Sequence, residues 1–409
     1  MGGTRRVVVT GFGFVSALGF GPEDHEPALR EGRGGPAPIT RFPTEGFKTR
    51  QGGQCDEGRL ERELRARFPA AALRGLGVDS RMLVYAASRA IDDARLRPPS
   101  VLPVVIGTTL EGFWQGEQWY ESHSRGAPDR ARPRRLLQMT SGAQLATLAG
   151  LLGLPLEPEV VSNACATGVS AIGRLFRRIR HGGCDAGLAG GYDTLTRFIQ
   201  LGFDSLGALT SKVCAPFDRA RSGFFLGDAA AVLALEELES ARRRGAPIRA
   251  EIVGYGESAD GHHPTHPHPE GEGLARAIRL ALGSAGAGPG DIDYVNAHGT
   301  ATPANDAAEA KGLLRALGDD IARRVPVSST KALTGHTLGA AGAIEQCFCV
   351  LALERGFLPV QANLADPDPA CPLAFVRDPR GAPRTAMNTS LGFGGANGVV
   401  LARRWEERA

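Results

Sequence analysis

Short apolar, often β-branched runs alternate along this chain with longer stretches whose apolar positions repeat at helical spacing. Val7 to Thr10 predicts a buried strand, closed by Gly11-Phe12-Gly13 as a turn. Residues 33 to 60 are rich in Gly, Pro and polar side chains and predict a surface excursion. From Asp79, the positions Met82, Leu83, Ala86, Ala87, Ala90 and Ile91 line one face of a helix, with Asp79 or Ser80 as N-cap. Val101 to Ile106 predicts the next strand. Residues 112 to 135 show no clear period and predict irregular structure, aromatic and then basic. Thr140 to Leu152 reads as a helix, and the apolar approach to Val161 leads into a tight polar turn and a helix from Gly168 to His181. Strands follow at Asp185 to Gly191 and Ala229 to Leu235, the latter running into a charged helix through Arg244.

The second half repeats this grammar. Ile248 to Gly256 is a strand ending Gly-Tyr-Gly, and Gly271 to Leu282 is a helix. Ile292 to Asn296 is a strand ending at His298-Gly299-Thr300. Val325 to Ser329 leads through a small-residue turn into the helix Leu338 to Arg355. Strands Thr385 to Thr389 and Val399 to Arg403 close the chain around a glycine-rich loop, Gly392 to Gly398. The order matches the first half while the spacing does not. The pattern predicts a duplicated α/β unit, with halves at 1–248 and 249–409, packed as one globule with buried sheets covered by helices.

Composition narrows the function classes. A net charge of +3 over 409 residues gives no global bias towards nucleic acid or membrane. No apolar run reaches the roughly 18–20 residues of a membrane span, and the N-terminus passes directly into a strand, so the expectation is a soluble cytoplasmic protein. The seven cysteines are scattered without CxxC pairs, which fits a reducing compartment. A dinucleotide fingerprint at Gly11 and Gly13 fails because Ser16 stands where its third glycine belongs.

Candidate chemistry gathers at strand ends. Cys165 sits in the turn Ser162-Asn163-Ala164-Cys165-Ala166-Thr167-Gly168, just before a helix. The first N–H groups and the dipole of that helix favour a thiolate and predict a lowered thiol pKa. Taken alone, the stretch fits a buried structural cysteine equally well. Three later loops add Asn296-Ala297-His298-Gly299-Thr300-Ala301-Thr302-Pro303, Lys331 to Gly339 with His336, and Gly392 to Gly398. Each places one functional group beside glycines that let a substrate approach the backbone. Together they supply a nucleophile, two imidazoles and a loop of backbone donors.

These motifs identify a resemblance. With Pro216-Phe217-Asp218, Gly223-Phe224 and Gly227-Asp228, the chain resembles the β-ketoacyl-acyl carrier protein synthases of the elongating Cys-His-His type, from Val7-Val8-Val9-Thr10-Gly11 to Leu391-Gly392-Phe393-Gly394-Gly395-Ala396-Asn397. The resemblance implies an α/β thiolase fold, two βαβαβαββ halves in a layered α-β-α-β-α globule. It implies that Cys165 takes the acyl chain from a carrier thioester, with the backbone N–H groups of Cys165 and Phe393 as oxyanion donors. His298 and His336, as neutral imidazoles, would hold the thioester carbonyl of malonyl carrier protein while CO₂ departs. Lys331, paired with Glu345, would set the protonation of both histidines. Thr300 and Thr302 would bind the pantetheine arm. Thr265, His263, Thr108 and Gly394 would also contact substrate, and Phe393 would gate the acyl pocket. No cofactor is implied beyond the phosphopantetheine that carries the substrates.

The same residues separate the relatives. A thiolase would carry a second reactive cysteine where Phe393 stands. An initiating synthase would carry Asn in place of His336, and a chain-length factor would lack Cys165. A non-catalytic or chain-length-determining subunit of a heterodimer is the alternative reading. The stretch Thr108-Thr109-Leu110-Glu111-Gly112-Phe113-Trp114 and the pair Arg134 and Arg135 depart from the common pattern of the family. Acyl chain length, a fatty-acid or polyketide pathway, and homodimer or heterodimer therefore stay open. Carrier proteins are acidic, so a basic docking patch is expected at Arg130, Arg132, Arg134 and Arg135. The run His262-His263-Pro264-Thr265-His266-Pro267-His268 invites a metal reading, but it has no accompanying Cys or carboxylate set and predicts none.

Overall fold

The computed structural model describes residues 4–96, 100–125 and 133–407, with backbone only at 133 and 134. Two of the docking candidates, Arg130 and Arg132, lie outside the described residues. The first half contains β1 (Val7–Ser16), α1 (Val78–Asp93), β2 (Leu102–Gly107), α2 (Phe113–Ser124), α3 (Ser141–Leu152), β3 (Leu156–Val161), α4 (Thr167–Arg180), β4 (Ala186–Asp193), α5 (Arg197–Ser205) and β5 (Ala229–Glu237). The second contains β6 (Ala250–Ala259), α6 (Glu272–Ala285), β7 (Tyr294–Asn296), α7 (Pro303–Leu317), β8 (Pro326–Ser328), α8 (Ala341–Arg355), β9 (Ala374–Phe375), β10 (Thr385–Gly392) and β11 (Ala396–Arg404).

Strand pairing makes the duplication explicit. The first half has the order β3-β2-β4-β5-β1, and the second has β8-β7-β10-β11-β6, with β9 added at the edge. In each half the first two pairings of that order are parallel and the last two antiparallel. The halves are stitched where β1 meets β6 antiparallel, Val7 opposite Ile252 and Val9 opposite Ala250. Helix α1 covers β1, β5 and β4 on one outer face, and α6 covers β6 and β11 on the other. Helices α4 and α8 pack on each other and against strands of both halves of this continuous sheet. Every residue of α8 from Ala341 to Leu353 is buried, as a helix enclosed on all sides requires. The layered thiolase-type architecture implied by the motifs is therefore present.

Three local expectations need correction. Gly11-Phe12-Gly13 is not a turn; β1 runs straight through to Ser16. The glycines are there because α1 lies directly on the strand: a Cβ at Gly13 would stand 2.3 Å from the Ala86 carbonyl oxygen. Gly256 answers to α6 in the same way, with a Cβ 2.0 Å from the Ala277 oxygen, so the repeated Gly-aromatic-Gly marks close helix–strand contact. Residues 112 to 135 are not wholly irregular, since they form α2 and the short helix Pro133–Leu137, which holds Arg134 and Arg135. Residues 33 to 60 are more than a surface excursion. Ile39, Phe42 and Phe47 are buried, and the Arg41 guanidinium forms an ion pair with the fully buried Asp228 at 2.6 Å.

Candidate active site

The loops that leave the strands converge on Cys165. It lies between the end of β3 and the first residue of α4, in a turn closed by Asn163 N–H donating to the Thr167 hydroxyl at 2.7 Å. Ala164 holds a left-handed φ of 47°, an uncommon conformation for a residue with a Cβ, which lifts the cysteine out of the strand direction. The glycine-rich loop after β10 closes over it. A Cβ on Gly392 would stand 3.0 Å from the Cys165 nitrogen, so only glycine brings the loop this near. The Phe393 N–H is directed at the Cys165 sulfur.

The two imidazoles complete the centre. His336 Nε2 stands 3.0 Å from Cys165 Sγ. Its Nδ1 accepts from Leu338 N–H at 3.3 Å, which places the ring proton on Nε2, facing the sulfur. The His298 ring crosses the His336 ring at 85°, with centroids 5.4 Å apart. Its loop is fixed through backbone: His298 N–H and Gly299 N–H donate to the two oxygens of Glu309 at 2.7 and 2.8 Å. Among the described residues, His298 Nδ1 has no hydrogen-bond partner. Lys331 Nζ donates to Glu345 at 2.5 Å, with both side chains almost fully enclosed.

Burial and one cation set the electrostatics. Burial holds His298 and His336 well below the ordinary imidazole value, and the Lys331 ammonium adds to it. Both rings are neutral near pH 7 and can each present an N–H. Burial pushes Glu345 up to about 7 against the pull of Lys331. The expected lowering of the Cys165 thiol is reversed. Burial pushes it up to about 12, outweighing Lys331 and the Phe393 N–H, so the resting sulfur carries its proton. Below its pKa a thiol gains thiolate tenfold per pH unit. Alkylation of Cys165 by iodoacetamide is therefore expected to keep accelerating from about pH 7 to about pH 9.5, followed by intact-protein mass spectrometry. A plateau by about pH 8 would show that the helix terminus and Lys331 win instead.

A cleft of about 420 Å³ opens onto this centre. Its walls include Cys165, His298, His336, Phe393, Thr300, Thr302 and Thr265, so these predicted residues meet at one surface, with Lys331 and Glu345 buried among the fully enclosed side chains. The Thr300 and Thr302 hydroxyls are 2.9 Å apart. Three predicted contacts do not reach the cleft. Thr108 is buried, and its hydroxyl donates to Asp193 at 2.7 Å. His263 is exposed and turned onto His266, and it is His266 that lines the cleft. Gly394 N–H donates to the Pro264 carbonyl at 2.7 Å and so ties the gating loop to the histidine-rich loop. Sequence reasoning missed Glu309, which anchors the His298 loop, and the stack Phe393–Phe203–Phe224–His336, whose successive centroids are 5.7, 5.5 and 5.0 Å apart. Glu309 shares the buried face of α7 with Asn305 and Asp306, and this cluster of polar residues on a core-facing helix was the available signal. Among the described residues, no group of three or more His, Cys, Asp or Glu is placed to hold a metal ion. Among them, too, no helix is long and apolar enough to cross a membrane.

A soft nucleophile under a backbone donor, faced by two neutral imidazoles in an apolar cleft, defines an acyltransferase that works on thioesters. Comparison with known proteins makes the class specific. Residues 4–241 match the beta-ketoacyl synthase N-terminal domain and residues 249–365 the C-terminal domain. The 3-oxoacyl-(acyl-carrier-protein) synthase 2 of Coxiella burnetii is 37% identical, covering 98% of this chain and 99% of that one; the Vibrio harveyi protein of the same name is 36% identical with the same coverage. Among solved structures, the ishigamide ketosynthase/chain length factor superposes with a TM-score of 0.91 at 37% identity, covering 98% of this chain and 100% of that one. A type II PKS acyl-carrier protein in complex with its ketosynthase bound to the hexaketide gives 0.88 at 28% identity, with the same coverage. The chain belongs to the beta-ketoacyl synthase family and is an acyltransferase of the ketosynthase class.

Proposed function

We propose that this chain is the catalytic ketosynthase of a fatty-acid or type II polyketide system, condensing malonyl-acyl carrier protein with an acyl chain held on Cys165. The observation that carries this reading is His336 Nε2 at 3.0 Å from Cys165 Sγ with His298 crossing it, because no inactive subunit needs that arrangement.

In the first half-reaction the sulfur attacks the carrier thioester. A new C–S bond forms, the carrier's sulfur leaves, and it departs with the proton from Cys165. The N–H groups of Cys165 and Phe393 hold the tetrahedral oxyanion. In the second, the malonyl C–C bond breaks, CO₂ leaves, and the electron pair moves into an enolate whose oxygen accepts from His298 and His336 Nε2–H. That assignment requires both rings to be neutral, which burial and Lys331 enforce. The enolate carbon then attacks the acyl carbonyl, a C–C bond forms, the C–S bond to Cys165 breaks, and the sulfur regains a proton from solvent. The product is a 3-ketoacyl chain longer by two carbons. Thr300 and Thr302 offer hydroxyls to the pantetheine arm, and Phe393 with Phe203 closes the acyl pocket.

The partners follow from the same reading. Acyl- and malonyl-loaded carrier protein supplies both substrates, docking at the basic segment from Arg130 to Arg135. A second ketosynthase-like chain, identical or not, packs against the face carrying Tyr120, Phe198 and Leu201, large apolar side chains left more than half exposed. In support, a solved relative 30% identical to this chain, from Xenorhabdus doucetiae, is a ketosynthase in complex with its chain length factor. The test is mass spectrometry of products formed from malonyl carrier protein and a panel of acyl primers, with and without a co-purifying partner chain. Ketoacyl products two carbons longer than the primer are expected. Decarboxylation with no C–C bond formed, for every primer and partner, would overturn the catalytic reading.

A further inference from the structure

One fully buried carboxylate lies outside the set that the motifs single out, yet it touches two of the loops on which the site depends. Asp193, the last residue of β4, has no solvent exposure. Its Oδ1 accepts from the Thr108 hydroxyl at 2.7 Å and from Leu110 N–H at 3.0 Å; its Oδ2 accepts from the Thr109 hydroxyl at 2.5 Å and from Gly339 N–H at 2.7 Å. Thr109 N–H is shared between the two oxygens. The first group of donors belongs to the loop after β2. Gly339 belongs to the loop that carries His336.

The second contact leads to the reacting sulfur. Leu338 holds a left-handed φ of 53°, which costs energy in a residue with a Cβ and persists only where its neighbours fix it. Asp193 fixes the next N–H along. The strained Leu338 turns its own N–H to His336 Nδ1 at 3.3 Å, and this sets the tautomer that faces Nε2–H to Cys165 Sγ at 3.0 Å. The space is closed as well. A Cβ on Gly339 would stand 2.7 Å from Asp193 Oδ2, and one on Gly191 would stand 2.6 Å from the Gly339 oxygen. The first contact leads to the acyl side, because Leu110 packs into the apolar cluster of Phe203, Phe224 and Leu338 next to the cleft.

We propose that Asp193 is a positioning residue that clamps the Thr108–Leu110 loop to the Leu338–Gly339 turn, so that the wall against the acyl chain and the orientation of His336 are set together. This rests on the reading of Cys165 and His336 as working groups. Asp193→Asn tests it, because it keeps the shape but sets an NH₂ against surrounding donors. Thr109→Ala is the milder companion, since it removes one hydroxyl donor and leaves the carboxylate in place. Both are assayed per active site, counted by alkylation of Cys165, so that misfolded protein drops out. Asp193→Asn is expected to lower decarboxylation of malonyl carrier protein by about 10- to 100-fold, the scale of a small misplacement of a catalytic group. It is also expected to change the ratio of rates for long and short acyl primers. Thr109→Ala should move that same ratio with a smaller loss of rate. A merely structural role would lower the count of active sites and leave the primer ratio per site as in the wild type. That outcome in Asp193→Asn, or in Thr109→Ala if Asp193→Asn yields no folded protein, overturns the inference. Wild-type protein that decarboxylates without condensing would instead count against the ketosynthase reading.

Discussion

Cys165→Ala is expected to reduce condensation by roughly 10⁴-fold or more, the scale of loss when a covalent nucleophile is removed. The acyl chain then has no sulfur to rest on, and no other thiol can substitute. Among the remaining cysteines only Cys184 is not buried, and it lies beyond the far end of α4, after Arg180. Decarboxylation of malonyl carrier protein is expected to survive, because in the proposed mechanism the enolate oxygen is held by His298 and His336, and the His336 ring keeps its Leu338 contact when its contact to the sulfur is lost. His336 is fixed by Leu338 N–H and His298 by Glu309 through its backbone. Separate assays of CO₂ release and of ketoacyl product would show the two activities parting. A variant that condenses at more than a few per cent of the wild-type rate would remove the covalent mechanism.

The histidines are expected to divide their work unequally. His298→Ala removes one donor to the developing enolate and should slow decarboxylation by about 10²- to 10³-fold, as the loss of one preorganised oxyanion donor does. It should leave the alkylation rate of Cys165 within a few-fold of wild type, since the ring near the sulfur is His336. The loop should stay in place, because Glu309 holds the backbone N–H groups of His298 and Gly299 rather than the ring. His336→Ala should lose a comparable factor in decarboxylation and also change the rate and pH profile of Cys165 alkylation. Stopped-flow alkylation beside single-turnover CO₂ release gives both numbers. Equal effects of the two substitutions on alkylation would contradict this division.

What the sequence made legible follows from where the information is stored. Cys165, His298, His336, Lys331 and Phe393 sit in loops at strand ends, where a motif of a few residues names the group and its glycines announce close approach. The long helices were legible because Met82, Leu83, Ala86 and Ala90 repeat on one face of α1, and α8 is apolar apart from Glu345, Gln346 and its last turn. Helix α2 was not legible. Among its residues only Gln115 is buried, so no apolar stripe marks it, and Trp119 stacks on His123 at its surface. The Gly11 and Gly13 pair looked like a turn because the same residue serves turns and close packing, and only α1 lying across β1 distinguishes them. Thr108 looked available to substrate because nothing near it in sequence points to Asp193, 85 residues on, as the acceptor of its hydroxyl. The choice between His263 and His266 depends on how a proline-interrupted extended segment faces the cleft, which no spacing rule sets. The thiol pKa was misjudged for a related reason. Proximity to a helix terminus can be read from sequence, whereas the depth at which Cys165 is buried cannot.

The most direct test of the acyl-thiol centre is to incubate the protein with an acyl-carrier protein thioester and map the adduct by peptide mass spectrometry. The acyl group is expected on Cys165, and addition of malonyl carrier protein should discharge it as a ketoacyl product two carbons longer. An adduct on another cysteine, or none on a protein that still condenses, would contradict the assignment of Cys165 as the residue that carries the chain.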